Sequence, residues 1–391
     1  MRYPLELFTT FLRLGLIAFG GPVAHLGYFH RWFVEDRQWL DNQRYGQLLA
    51  LCQMIPGPTS SQTGFAIGLQ RAGVAGGIAA WLGFTLPSAL LMIGLGVGIT
   101  HLDPPVGADW LTGLKLAAIA VVAHALYGMV RQLCTTRVAV GIAACSMGVV
   151  SLLPSAAGPF VVIIGGALAG LALIQPSSAA QPVDSGTRIS RTQGRIALGL
   201  FAAGLLLMFS LPALSPLWRV LYQSGALVFG GGHVVLPLLE SGIVGNGLID
   251  AERFIAGYGA AQALPGPLFA FGGFIGAGVM THTPVIAGLI ATLLIFAPGL
   301  LLVVGLLPVW QAAGHYRPVR RAVPGINAAV VGLLAAALWD PVIVSGITRP
   351  VDAGIALTAF ILLWRTPTPP WVIVPGCALA SAALSYLPSI A

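Results

Sequence analysis

Met54-Ile55-Pro56-Gly57-Pro58-Thr59-Ser60-Ser61-Gln62 is the stretch of this chain best suited to chemistry. Two prolines around a glycine stop a helix, because each proline lacks a backbone donor and clashes with the preceding turn. A helix restarting after Pro58 leaves the amides of Thr59, Ser60 and Ser61 without carbonyl partners, and their hydroxyls add donors. Free amides at the positive end of a helix dipole attract an anion. Gln53, three residues before the break, lies within reach of its loose carbonyls or of a bound ligand.

The motif occurs twice. Gln262 and Ala263-Leu264-Pro265-Gly266-Pro267-Leu268-Phe269 repeat it without hydroxyls after the break. The second copy therefore offers mainly backbone, through Gly266 and the amides that follow, and the first copy, with Gly57, supplies most side-chain contacts. Upstream, Phe19-Gly20-Gly21 recurs as Phe229-Gly230-Gly231, followed by His25 and His233, and Asp41 recurs as Asp250. Leu86-Pro87 with its apolar run matches Ala297-Pro298. The histidines are candidates for anion donation or proton carriage, with a structural hydrogen bond as the plainer role; Asp41 and Asp250 read as helix N-caps. An internal repeat of this length decides the architecture before any single element does.

Other polar groups interrupt apolar runs, where insertion of a charge costs roughly 2.5 to 3.5 kcal/mol. Arg13 interrupts the first such run, and Lys115 is the single lysine of the chain. Both are candidate cations for an oxyanion, although snorkelling to an interface explains Lys115 equally well. Glu240, beside Pro237 in an apolar run, is the acidic candidate for proton coupling.

The elements that carry these residues belong in a bilayer. Of 391 residues, 57% are hydrophobic and 8% charged, against about 25% charged in soluble domains. Mean hydropathy is +0.89. Windows such as Val74–Ile99, Val138–Leu153, Phe160–Ile174, Ile196–Leu211 and Pro284–Val309 lack charge, at or near the length that spans hydrocarbon. They lack the alternation of a membrane β-barrel. The expected class is an all-α polytopic membrane protein. The four cysteines have neither metal nor disulfide spacing. No cofactor, metal or nucleic-acid partner is indicated, and the absence of HExxH, G-x-S-x-G and nucleotide-loop motifs argues against an enzyme.

Loop charges orient the spans, since Lys and Arg collect on the cytoplasmic side. Residues 101–110 and 154–158 read as outside, while 131–137, 175–195 (Arg188, Arg191, Arg195) and 314–321 (Arg317, Arg320, Arg321) read as inside. Residues 340–350 read as outside and the Arg365 loop as inside. Matched spans then run in opposite directions. The expected architecture is two inverted repeats of about six membrane segments, residues 1–175 and 213–391, joined by a linker and one extra span within 176–212, about 13 segments in all. Residues 45–70 and 251–280 read either as single broken crossings or as re-entrant hairpins. Inverted repeats are the architecture of alternating-access transporters, with the site at their interface.

In order and spacing, Phe19-Gly20-Gly21-Pro22 with His25, Trp39-Leu40-Asp41 and Gln53-Met54-Ile55-Pro56-Gly57-Pro58 resemble the chromate transporter (CHR) family. Phe229-Gly230-Gly231-Gly232-His233 and Ala263-Leu264-Pro265-Gly266-Pro267 resemble the second domain of its long members. The resemblance implies a protein of the bacterial inner membrane that exports chromate, confers resistance and draws on the proton-motive force. Chromate is a tetrahedral dianion shaped like sulfate, so sulfate or another dianion is the alternative substrate, and a passive anion channel the alternative class. A homodimer is the candidate assembly.

Overall fold

The computed structural model describes residues 2–19, 21–101, 108–152, 158–175, 188–210, 215–229, 235–310, 317–366 and 368–385, and these are all helix, turn or short connection. The Phe-Gly-Gly glycines Gly20, Gly230 and Gly231, together with His233 and residues 176–187 of the linker, lie outside the described residues.

The first half comprises α1 (Arg2–Ile17), α2 (Gly21–His30, extended by a π-turn over Arg31–Asp36), α3 (Asn42–Met54), α4 (Thr59–His101), α5 (Ala108–Leu133), α6 (Arg137–Leu152) and α7 (Gly158–Leu173). The single connecting helix is α8 (Arg191–Ser210). The second half repeats the order with α9 (Pro216–Leu227), α10 (Val235–Leu239, with a π-turn over Glu240–Val244), α11 (Ala251–Ala263), α12 (Phe271–Val279) and α13 (Pro284–Leu306). It closes with α14 (Arg317–Ala337), α15 (Pro350–Arg365) and α16 (Pro370–Ser385). Asp41 and Asp250 cap α3 and α11 identically, each accepting from the amide three residues on, Arg44 or Arg253, at 2.7 and 2.8 Å.

Among the described residues, five helical stretches are long and apolar enough to cross a bilayer: Thr59–Gly98, Thr112–Leu133, Arg191–Ser210, Pro284–Val309 and Arg320–Asp340. The other apolar helices are shorter, and 16 residues rise only about 24 Å against roughly 30 Å of hydrocarbon. Only 17% of the α8 apolar window is buried, and Ile164, Leu168, Ile286 and Leu379 are likewise exposed. Such surfaces are stable against lipid rather than water.

Four pairs of neighbouring helices fold back on themselves. Phe11 of α1 stacks on Phe33 at 4.9 Å and meets Phe29 edge-on at 5.6 Å, so α2 and its π-turn fold back along α1. Gly242 lies against Val220, so α9 and α10 do the same. Around Pro-Gly-Pro the Thr59 hydroxyl reaches back to the Cys52 carbonyl at 3.5 Å. In the second copy Tyr258 and Phe254 both pack on Phe271, at 5.7 and 5.2 Å. α4 contains one further reversal. At Ala72–Gly73 the backbone leaves the helix (Gly73 φ +62°, ψ −155°), and Gly68 and Gly76 then touch backbone to backbone. Its two legs correspond to α12 and α13, where a loop over residues 280–283 does the same job.

The direction of the repeats follows from glycine contacts. Gly266, Gly273 and residues 274–277 lie in turn against Phe84–Ser88, Ala89–Ile93 and Gly96, so α12 runs parallel to the second leg of α4. Gly272 meets Ile295, Gly273 meets Thr292, and Gly276 meets Ala287 and Ala291, so α12 runs antiparallel to α13. The corresponding second leg of α4 and α13 therefore point in opposite directions. The halves also exchange partners. α14 packs its Gly325 on Gly166 and Gly170 of α7 and its Gly332 on Ala143 of α6, while α5 packs its Gly113 on Cys377 and Ala378 of α16. Small residues permit these close approaches between apolar helices.

Candidate functional site

The two Pro-Gly-Pro turns are each docked on the opposite half. The Gly57 amide donates to the Val228 carbonyl at 2.7 Å, and the Gly266 amide donates to the Ala18 carbonyl at 3.0 Å. Ala18 and Val228 immediately precede the two Phe-Gly-Gly motifs, so each broken helix is held by the hairpin tip of the other repeat. The same exchange recurs one layer out: Gly57 lies on Gly299, and Gly266 on Ser88 and the Phe84 carbonyl. Gly299 and Ser88 each follow the proline inside the long helix of the opposite half. Glycine is required at both turns because φ is +129° at Gly57 and +94° at Gly266.

Around this junction the first half supplies the polar groups. α4 starts at Thr59, and its first ladder bond runs from the Gln62 amide to the Pro58 carbonyl at 2.9 Å. The three preceding amides thus have no acceptor within the helix. The second break resumes differently, through a 3-10 turn over Leu268–Ala270 that ties the Ala270 amide to Pro267 at 3.0 Å. Phe269 and Ala270 stand where the first copy has Ser60 and Ser61.

His25 is buried and sewn into this arrangement. Its Nε2 lies 2.9 Å from the Ala18 carbonyl, the acceptor of the Gly266 amide, and its Nδ1 lies 3.4 Å from Ser60 Oγ. The geometry is that of a structural bridge between a hairpin tip, a break and a helix start. Thr59 Oγ1 reaches the Cys52 carbonyl at 3.5 Å. Ser61 Oγ is buried without a hydrogen-bond partner among the described residues.

Other sequence candidates fall elsewhere. Gln53 is exposed on α3, and Arg13 is exposed on α1, away from the Leu7–Phe11–Leu14 stripe that packs on α4. Lys115 is buried but paired, its Nζ 3.6 Å from the exposed Glu252 at the first turn of α11, the end opposite the break. Glu240 sits half-buried at the π-turn after α10, with Asp340 as its charged neighbour. Gln262 stands at the second break beside Tyr258, with its Nε2 buried and without a hydrogen-bond partner among the described residues.

Gln62, Trp81, Thr85 and Ser88 join the site without having been singled out. Gln62 Nε2 donates to Pro56 at 2.7 Å and, across the halves, to Gly299 at 3.2 Å. Trp81, Thr85 and Ser88 share one face of the second leg of α4. Ser88 meets Gly266, and Trp81 stands edge-on to Phe296 at 5.7 Å, itself 5.5 Å from Phe269. Gln62 Oε1, Trp81 Nε1 and Thr85 Oγ1 are all buried without a partner among the described residues. The signal for Gln62 was its place in the motif, and for Thr85 and Ser88 their flanking of the repeated Pro87; Trp81 gave none.

A chain whose described residues are helices and their connections, with apolar outer faces and two interrupted helices each docked on the opposite half, belongs to the class of multi-pass membrane proteins. More particularly, it is a member of the chromate transporter family, whose model matches residues 5–171 and 215–382. A probable chromate transport protein of Synechococcus elongatus is 30% identical over 86% of this chain and 84% of its own. The chromate transport protein of Pseudomonas aeruginosa is 27% identical over 97% and 92%, and that of Cupriavidus metallidurans 28% over 96% and 91%. No solved structure matches the chain.

Proposed function

We propose that this chain is a secondary transporter that exports chromate across the bacterial inner membrane, drawing on the proton-motive force and conferring chromate resistance. The reading rests on buried side-chain donors without partners among the described residues, on the elements that form the two breaks: Ser61 Oγ and, further along α4, Thr85 Oγ1 and Trp81 Nε1, with Gln262 Nε2 on α11. Buried polar atoms are almost always bonded, so several unpartnered ones indicate a ligand. With the free amides of Thr59, Ser60 and Ser61, they suit a tetrahedral dianion. The related chromate transport proteins favour chromate over sulfate as that dianion.

In this reading the four fold-backs are re-entrant hairpins whose tips meet at the midplane. Each half then has two hairpins and four crossings, six membrane segments, and α8 brings the total to 13. The opposed directions of α4 and α13 support inversion, and nine full crossings agree with the charge of every loop assigned a side above. Rocking of the halves about the fixed junction exposes the site to each side in turn. Glu240, with Asp340 near it, is the candidate proton carrier.

The test is chromate flux in proteoliposomes under an imposed pH gradient. Accumulation should follow the gradient, and Glu240→Gln should abolish that dependence while downhill chromate movement persists. Flux indifferent to the gradient in the unaltered protein would remove proton coupling from the proposal.

A further inference from the structure

Equivalent helices of the two halves are packed unequally. α11 is docked: Phe254 to Gly259 are all buried, Gly259 lies on the Leu114 carbonyl, and Ala256 joins a cluster with Leu114, Ala117, Ile373 and Val374 of α5 and α16. Its counterpart α3 has at most a marginal contact with α7 and α14, the equivalents of α16 and α5. α3 packs on α4 instead and leaves Gln43, Arg44, Gly46 and Gln53 exposed, with open space around Gly46. The ion pair between Lys115 and Glu252 closes the docked side. On the other side Gly113-Leu114-Lys115 corresponds to Gly325-Ile326-Asn327, and the Asn327 amide oxygen is buried without a partner among the described residues.

We infer that the structure is open toward the side of the basic loops, and that Lys115 and Glu252 latch α11 over the site from the opposite side. The inference rests on the inverted-repeat reading above. In an inverted pair the alternate state exchanges the two conformations, so α11 undocks while α3 closes over α14 and covers Asn327. Lys115 is thereby a gating residue and not an anion ligand. It faces Glu252 from α11, and Asp250 and Arg253 of that turn pair with each other at 3.3 Å.

The test uses the full chain with its four cysteines replaced, a single cysteine at Gln53→Cys or Gln262→Cys, and a membrane-impermeant maleimide applied to vesicles of either orientation. Gln53→Cys should label from the basic-loop side, and Gln262→Cys should be protected from the other. Lys115→Met should raise Gln262→Cys labelling by about tenfold, and the exchange Lys115→Glu with Glu252→Lys should restore protection. Protection unchanged in Lys115→Met would overturn the latch, and an unreactive Gln53→Cys would overturn the open side. Labelling needs no chromate, so an error in the substrate leaves these results intact.

Discussion

Ser61 and Gln62 are adjacent in sequence but do different work. Ser61 Oγ has no partner among the described residues, whereas Gln62 spends its Nε2 on Pro56 and Gly299. Replacing Ser61 by Ala should therefore lower chromate flux sharply with little loss of folded protein, read by proteoliposome flux against yield after size exclusion. Gln62→Leu should act on stability. It removes the donor to the part-buried Pro56 carbonyl, which lies in the break outside any helix, a cost of about 1 to 3 kcal/mol, visible as a lower midpoint in detergent thermal unfolding. Both residues were legible as a polar run after a helix stop. Which of the two is committed to backbone was not, because the Gly299 partner is 237 positions away.

At the scale of elements, two positive-φ glycines separate site from scaffold. A Cβ on Gly57 would meet the Gln62 side chain and approach Gly299 within 3.0 Å, at a φ of +129°. Gly73 has a φ of +62° but nothing within 4 Å. Strain of about 1 to 3 kcal/mol is expected at either. Gly57→Ala should abolish flux as well as lower the unfolding midpoint, because it displaces the junction. Gly73→Ala should lower the midpoint alone. Comparable flux in the two variants would show that the junction tolerates displacement. The sequence exposed the first glycine through its prolines. The second stands just before the apolar window read from Val74 onward, beside Gln70-Arg71, where the sequence marked a segment boundary but not the reversal, which is held by one glycine and the contact of Gly68 with Gly76.

The whole molecule is two interlocked halves, each completing the other's helix layers and hairpin tips. If the repeats are inverted, the corresponding turns at residues 72–73 and 280–283 face opposite sides of the membrane. In a cysteine-free background, Val74→Cys should label from the side of the basic loops and His282→Cys from the other, with an impermeant reagent and oriented vesicles. Labelling of both from one side would mean a parallel repeat.

The sequence by itself determined the class, the repeat, the expected opposition of matched spans and the two breaks. Each of these follows from local composition: uncharged windows, loop arginines, and proline with glycine where a helix must stop. Only the tertiary structure decided that the breaks fold back, that each is held by the other half, that Lys115 is bound to Glu252, and that α11 is docked while α3 is not. Those are contacts between residues far apart in the chain, and apolar helices of similar composition leave their choice of partner to small-residue fit rather than to any pattern readable along one helix.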